Sequence, residues 1–325
     1  MSGRPFSITS SLPSSMDRIG AGTQDVAQVV TAGCVADSKS LPSFIVVGPP
    51  RTGTSWLHQV LRDRVRLPKP TKETRFFDKY FEHGLRWYLA KYEGAANGAP
   101  VGEIAPTYFA SMSARERIAL TLPKAKIVCC FRNPVERVIS LYRLKRAYGM
   151  IPWSFEEALD KDPELVDTSM YATHLKSWLE TVGPERMLVT LYDDLREDPQ
   201  SYVDKVSDFI GLRRFTLLPS QSRPVNDSAP LTEPRSYFRT RSALALAEKL
   251  KARRLDSVVA LFRNSPLMKL LLSGGPAFRE ISREVVASLY ERFRPEVEEL
   301  ETLLDRDLSA WKSANTMAHS VHTVV

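Results

Sequence analysis

Phe44-Ile45-Val46-Val47-Gly48-Pro49-Pro50-Arg51-Thr52-Gly53-Thr54-Ser55 is the stretch on which the reading of this chain turns. Its first four residues form a continuous apolar run that stops at Gly48, the pattern of a strand buried on both faces of a parallel sheet. A Pro/Gly turn follows, and then a helix expected over Thr54 to Arg62. Such a turn aims unpaired backbone N–H groups at one point, and the helix N-terminus adds partial positive charge, so the place suits a phosphate. Gly53 lets the backbone approach an anion closely, Thr52, Thr54 and Ser55 add hydroxyl donors, and Pro50 and Arg51 complete the candidate loop.

Working outward, Ala125 to Phe131 is a second apolar run, followed by a turn at Asn133-Pro134 and a helix to about Ala147. Val101 to Ile104 and Met187 to Tyr192 are further strand candidates. The latter leads through Asp193-Asp194 into a helix near Pro199–Ile210. Strands alternating with helices predict a three-layer α/β fold, a P-loop-like central parallel sheet flanked by helices. Near the C-terminus Ile281, Val285, Leu289 and Phe293 recur at helical spacing, and Val297, Leu300, Leu304 and Leu308 continue the stripe. Pro295, between the two runs, is expected to break or restart the helix.

The loop is related to the Walker A pattern but departs from it where the chemistry is decided. Gly48, Gly53 and Ser55 fit, yet Thr54 stands where the lysine belongs, and the basic residue, Arg51, comes three places earlier. A nucleoside triphosphatase also needs an acidic strand end for Mg²⁺, and here the neighbouring strand ends in Phe131-Arg132. The loop therefore reads as a nucleotide-phosphate site that requires no metal. Arg132, at a strand's carboxyl end, and Ser140, eight residues on, form a second candidate anion site. The plain alternative is that Arg132 pairs with a carboxylate.

At these residues the chain resembles the sulfotransferases that use 3′-phosphoadenosine 5′-phosphosulfate (PAPS). The first motif is similar to their 5′-phosphosulfate loop and the second to their 3′-phosphate motif. Further likeness to the heparan-sulfate-type branch and its bacterial relatives lies in Lys72-Glu73-Thr74-Arg75-Phe76-Phe77, Gly84-Leu85-Arg86-Trp87-Tyr88, Glu103-Ile104-Ala105-Pro106-Thr107-Tyr108-Phe109, Leu122-Pro123-Lys124-Ala125-Lys126 and Tyr171 to Leu179. The resemblance implies that Arg51 takes the place of the usual loop lysine and that Pro50, Thr52, Gly53, Thr54 and Ser55 cradle the 5′-phosphate. It implies that Arg132 and Ser140 hold the 3′-phosphate, that Glu73 is the general base, and that Arg235 is the nearest counterpart of a late basic nucleotide loop. Ile104 stands where several heparan-type members carry a lysine. Glu103 is the reserve candidate for the base, followed by His58 and His174; the plain reading of Glu73 is a surface ion pair with Lys72.

The whole chain has 325 residues with 45 Lys+Arg against 38 Asp+Glu, a net charge of +7, 43% hydrophobic and 26% charged residues. That excludes collagen-like, wholly disordered and multi-span membrane classes. Residues 1–40, rich in Ser, Thr and Gly, are expected to form a flexible tail, and 41–325 a single domain. That domain is expected to include a basic helical segment at 231–275 and C-terminal helices at 279–311. Three cysteines, Cys34, Cys129 and Cys130, give no disulfide framework and fit a reducing compartment. With no apolar span and no signal peptide, the expectation is a bacterial-type cytoplasmic enzyme.

Residues 231–275 hold nine Lys/Arg against three Asp/Glu. A solvated helix face, a lid over an anionic ligand, and a peripheral membrane surface through 235–272 are the competing readings. No nucleic-acid recognition motif accompanies the charge. The function expected is PAPS-dependent O-sulfation of a carbohydrate, glycolipid or small natural product. The alternatives are an ATP-dependent P-loop kinase and a non-catalytic nucleotide-binding scaffold.

Overall fold

Four short parallel strands carry the fold: β1 (Phe44–Gly48), β2 (Gly102–Ile104), β3 (Lys126–Phe131) and β4 (Met187–Leu191), in the order β2-β1-β3-β4. They are seen in a computed structural model that describes residues 41–92, 98–221, 232–234, 236–252 and 275–313. The predicted tail at 1–40, Arg235 and the stretch 253–274 lie outside the described residues. From β1 the chain goes to β2 on one side and then crosses to β3 on the other. That reversal opens a crevice at the carboxyl ends of β1 and β3, where open α/β sheets bind ligands.

The apolar runs form strands because both faces of the sheet are covered. Ile45, Val47, Ile127, Cys129 and Phe131 belong to one core, with Phe76, Tyr88, Tyr108 and Trp178. Phe44, Val46, Ile104, Val128 and Cys130 belong to the other, with Trp56, Leu57, Tyr202 and Val206. Adjacent Cys129 and Cys130 thus point to opposite faces, as strand geometry requires. Each fully buried side chain of this kind contributes roughly 1.5–3 kcal/mol.

The helices predicted after β1, after β3 and near Pro199–Ile210 are present, and others accompany them. α1 spans Thr54–Leu61, α2 Pro134–Ala147, α3 Tyr171–Val182, α4 Pro199–Ile210 and α5 Tyr237–Ala252. A short helical turn, Tyr192–Glu197, replaces the simple turn expected after β4. In α5, within the basic segment, Thr240 is buried, and Phe238, Arg241, Leu246 and Lys249 are exposed. Among the described residues no helix is long and apolar enough to cross a membrane.

The expectation at Pro295 is corrected: α6 runs unbroken from Arg283 to Leu304 with Pro295 inside it. A proline there forfeits one backbone hydrogen bond and costs about 3 kcal/mol. Burial of Leu289, Tyr290, Phe293, Val297 and Leu300 offsets that cost. So does Glu296, which accepts from the Thr173 N–H at 3.1 Å and from its hydroxyl at 2.5 Å, satisfying an otherwise orphaned donor in the first turn of α3. Beyond α6, the Trp311 indole N–H donates to Asp193 at 2.7 Å, tying the C-terminal segment to the loop after β4.

The turn leaving β1 needs glycine for two reasons. Gly48 has φ 96°, and a Cβ there would fall 2.5 Å from the Cα of Pro106. Gly48→Ala is therefore expected to cost at least about 2 kcal/mol, read as a lower urea midpoint at unchanged slope. A loss under about 0.5 kcal/mol would show that the turn is not so constrained.

Candidate active site

The loop between β1 and α1 bends through two left-handed residues, Arg51 at φ 74° and Gly53 at φ 94°. The positive φ of a non-glycine residue is strain of the sort held at functional sites. Gly53 is the N-cap of α1 and offers no side-chain cap, so the first-turn amides remain donors for a ligand. A Cβ on Gly53 would lie 2.9 Å from Leu195; the turn after β4 supports the loop from below. Thr52 is fully buried and donates its hydroxyl to the Pro49 carbonyl at 2.7 Å. It stiffens the loop and does not face a ligand. Thr54 is also buried, while Ser55 is exposed.

The second motif is positioned by the start of α2. Asn133 accepts at its Oδ1 from the Val135 and Glu136 amides, and Pro134 occupies the first helical position. Arg132, Glu136 and Ser140 then follow at four-residue spacing, which puts the latter two on one face of α2. Arg132 donates to Glu136 Oε2 from Nε at 3.0 Å and from a terminal nitrogen at 2.8 Å, and its guanidinium lies 4.8 Å from the Tyr192 ring centre. The carboxylate pairing read as the plain alternative is therefore present, at the edge where a ligand would enter. Ser140 is engaged differently: its Oγ accepts from Arg51 Nε at 2.9 Å. The two motifs, 89 residues apart, are joined by that bond.

Sequence reasoning missed two residues here. Arg137, fully buried on α2, donates to Ser169 Oγ at 2.6 Å and to the Leu165 carbonyl at 2.7 Å, with a longer 3.5 Å contact to the Pro50 carbonyl. It locks α2 beneath the loop; a charged residue on an otherwise apolar helix face was the available signal. Lys72 was read only as Glu73's partner. Its Nζ donates to Ser55 Oγ at 3.2 Å and lies 3.8 Å from Glu73 Oε1. A lysine thus reaches the loop from another segment, beside the position where Thr54 replaces the Walker lysine. The missing lysine was itself the clue.

Glu73 stands on the turn after Lys72, half-buried, within that lysine's reach of the loop. Glu103 sits differently: it is fully buried on β2. Oε1 accepts from the Thr74 amide and hydroxyl, each at 2.7 Å, Oε2 accepts from Tyr88 at 3.0 Å, and Tyr108 bridges both oxygens at 3.3 Å. With both oxygens taken and no exposure, it has no lone pair to offer an acceptor hydroxyl. His58 is pulled down to about 4 by burial and by the nearby Lys72 and Arg62 charges, so it is neutral at pH 7. His174 bonds the Asp167 carbonyl at 3.1 Å and packs against Phe109. Arg235 lies outside the described residues. Among the described residues no group of His, Cys, Asp and Glu side chains converges to hold a metal ion.

These features describe a candidate anion site at the strand tips of a parallel α/β sheet, and comparison places the chain in a family. Residues 41–224 match the model of the sulfotransferase domain, and the chain belongs to that family. It is 28% identical over 267 residues to human heparan sulfate glucosamine 3-O-sulfotransferase 3B1, covering 79% of this chain and 62% of that protein. It is 29% identical over 195 residues to human bifunctional heparan sulfate N-deacetylase/N-sulfotransferase 3, covering 53% of this chain and 22% of the other. The match thus spans less than two thirds of the length of these curated relatives. Among solved structures, a sulfotransferase from Alicyclobacillus acidocaldarius superposes with a TM-score of 0.58 at 22% identity, over 84% of this chain and 99% of that one, and shares the fold.

Burial pushes Glu103 up to about 7 from its ordinary 4.5; the Thr74 and Tyr88 donors pull the other way, and the Glu73 charge adds to the rise. Between those two values the folded protein keeps a proton that the unfolded chain has released, so stability falls as pH rises through that window and levels off above it. Urea midpoints at pH 5 and pH 8 should therefore converge in Glu103→Gln relative to the unsubstituted protein. An equal fall in both proteins would contradict the assignment.

Proposed function

We propose that this chain is a PAPS-dependent O-sulfotransferase acting on a carbohydrate hydroxyl. The observation that carries the reading is the 2.9 Å bond from Arg51 to Ser140, which unites the two candidate anion motifs at the crevice where the strand order reverses. The fit to the nucleotide rests on the donor set. Uncapped α1 amides, Arg51, Lys72 and Ser55 suit a 5′-phosphosulfate. Arg132 and Ser140 suit a 3′-phosphate, which would take the place Glu136 holds on Arg132. Arg235 is the remaining candidate contact. Thr54 in place of the Walker lysine and an arginine at the end of β3 speak against a magnesium–triphosphate site.

PAPS, when bound, supplies a sulfuryl group whose bond to the phosphate oxygen breaks as the acceptor oxygen attacks. Glu73 would accept the proton that the hydroxyl gives up. Arg51 and Lys72 would face the negative charge that gathers on the leaving phosphate oxygen, favouring the transition state over the ground state. A sulfuryl group carries less charge than a phosphoryl group, so side-chain cations suffice. The carbohydrate acceptor is inferred from the relatives named above. A glycolipid or natural-product hydroxyl meets the same chemistry.

Adenosine 3′,5′-bisphosphate at a hundred times its Kd should stabilise the protein by about 2.7 kcal/mol, several degrees in melting temperature, with ATP and Mg²⁺ giving no comparable shift. Arg132→Ala should erase the difference between the two. Stabilisation by ATP alone would favour a kinase. Labelled sulfate from PAPS should pass to an N-sulfated heparan oligosaccharide, and Glu73→Gln should lower kcat by about 10²–10⁴-fold with nucleotide affinity kept. Nucleotide binding without transfer to any acceptor would indicate a scaffold, and full activity in Glu73→Gln would remove that residue from its role.

A further inference from the structure

The segment that carries Glu73 has little regular structure of its own to hold it. It lies in an irregular stretch ahead of the short helical turn Phe81–His83, and Arg75, two residues on, adopts φ 55°. What fixes it is a polar cluster buried beneath. Thr74 gives both its amide and its hydroxyl to Glu103 Oε1, and the Thr74 hydroxyl in turn accepts from the Phe76 amide at 3.1 Å. The Phe77 amide reaches the Tyr108 hydroxyl at 3.4 Å. Tyr92 donates to Tyr88 at 2.8 Å, leaving the Tyr88 proton for Glu103. Three of the four residues after Glu73, Thr74, Phe76 and Phe77, are thereby hung, directly or through one hydroxyl, on a carboxylate rooted in β2. Strand β2 pairs with β1, with Glu103 opposite Ile45, so the turn is referenced to the strand that launches the phosphate loop.

We infer that Glu103 is the positioning residue of the Glu73 turn and that its ionisation orders the turn for proton transfer. This rests on the reading of Glu73 as the base. As a carboxylate, Glu103 accepts from every donor around it. Once protonated, it must donate its own hydrogen to a hydroxyl that had been donating to it. That hydroxyl becomes an acceptor and turns its own proton elsewhere, as the Thr74 and Tyr108 hydroxyls, 3.3 Å apart, can do between themselves, so the set of bonds that holds Thr74 is rearranged. The groups facing it from the elements packed around it are Glu73 and Thr74 on the turn, Tyr88 and Tyr92 on and after the helix Gly84–Leu89, and Tyr108 after β2. Arg66 lies behind Tyr92, and Asp78 behind Tyr108. The tyrosines are held neutral by burial and by the Glu103 charge. Among these groups, Glu103 is the one that burial pushes up toward neutrality. The pH window set by burial puts the change near neutrality. Stability and positioning then run in opposite directions: the buried proton favours the fold, and its loss orders the turn.

The test compares the full chain with Glu103→Gln, an isosteric change that keeps one acceptor and cannot ionise. At pH 8 the Thr74 amide should exchange with solvent at least ten-fold faster in the variant. Its kcat for sulfuryl transfer from PAPS, to an N-sulfated heparan oligosaccharide or to water, should fall at least ten-fold, with KM for PAPS within two-fold. The rise in kcat between pH 6 and pH 8 should be present in the unsubstituted protein and absent from the variant. A variant with kcat within two-fold of the unsubstituted protein, or with the same rise, overturns the inference. If Glu103→Gln does not fold, Tyr88→Phe keeps the ring and removes one donor that favours the charged form, so the rise should move to higher pH; an unmoved rise is equally fatal. The exchange measurement needs no substrate. Slow Thr74 exchange lost in Glu103→Gln, in a protein that ignores adenosine 3′,5′-bisphosphate, would therefore sink the transferase reading alone. Nucleotide binding and transfer with indifferent Thr74 exchange would sink only the positioning role.

Discussion

A guanidinium and a hydroxyl, Arg51 and Ser140, meet at 2.9 Å across the mouth of the crevice, and the geometry of the site depends on that meeting. Neither partner could be there without the topology. The strand order reverses at β1, so the turns leaving β1 and β3 open side by side. Arg137, buried beneath α2 with Ser169 and Leu165 as its partners, keeps the helix from shifting away from the loop. The strained φ of Arg51 and the bare N-cap at Gly53 are tolerated because the support beneath over-determines them: Thr52 bonded to Pro49, and Leu195 under Gly53.

A second constraint lies one strand away. The Glu73 turn hangs from a buried carboxylate, whose charge is costly to bury; four donors on Thr74, Tyr88 and Tyr108 offset part of that cost. Full satisfaction of a buried polar cluster is what lets it specify a single geometry. The same cluster joins the aromatic core of Phe76, Phe77 and Tyr88, where Phe76 stacks on Tyr88 at 4.6 Å, so packing and polar order constrain the same few residues. Lys72 closes the circuit between this turn and the loop through Ser55 and Glu73.

Much of this was legible in the sequence, for reasons that can be named. Strands buried on both faces announce themselves as apolar runs, and Phe44–Gly48 and Lys126–Phe131 could be read directly. The Pro/Gly turn leaving β1, and the placing of Arg132 at the end of β3 with Ser140 on the helix beyond, were legible because glycine, proline and strand-end arginine act locally. The partner of Ser140 was not legible, because it lies 89 residues away and only the strand order brings it near. Glu103 looked like a possible base for the same reason: its spacing to Glu73 says nothing about burial, which depends on Tyr88, Tyr92 and Tyr108 folding over it. Pro295 looked like a break because the local rule is sound, and it is overruled by what the helix packs against. Lys72 was visible as a charge and invisible as a neighbour of Ser55.

The most direct measurement is a crystal structure with adenosine 3′,5′-bisphosphate. The 3′-phosphate should lie against Arg132 and Ser140, and the 5′-phosphate should sit on the amides of 52–55 with Arg51 and Lys72 beside it and Glu73 facing the open position beyond. A nucleotide bound elsewhere, or one whose 3′-phosphate leaves the Arg132–Glu136 pair untouched and points to solvent, would contradict the joined-motif site.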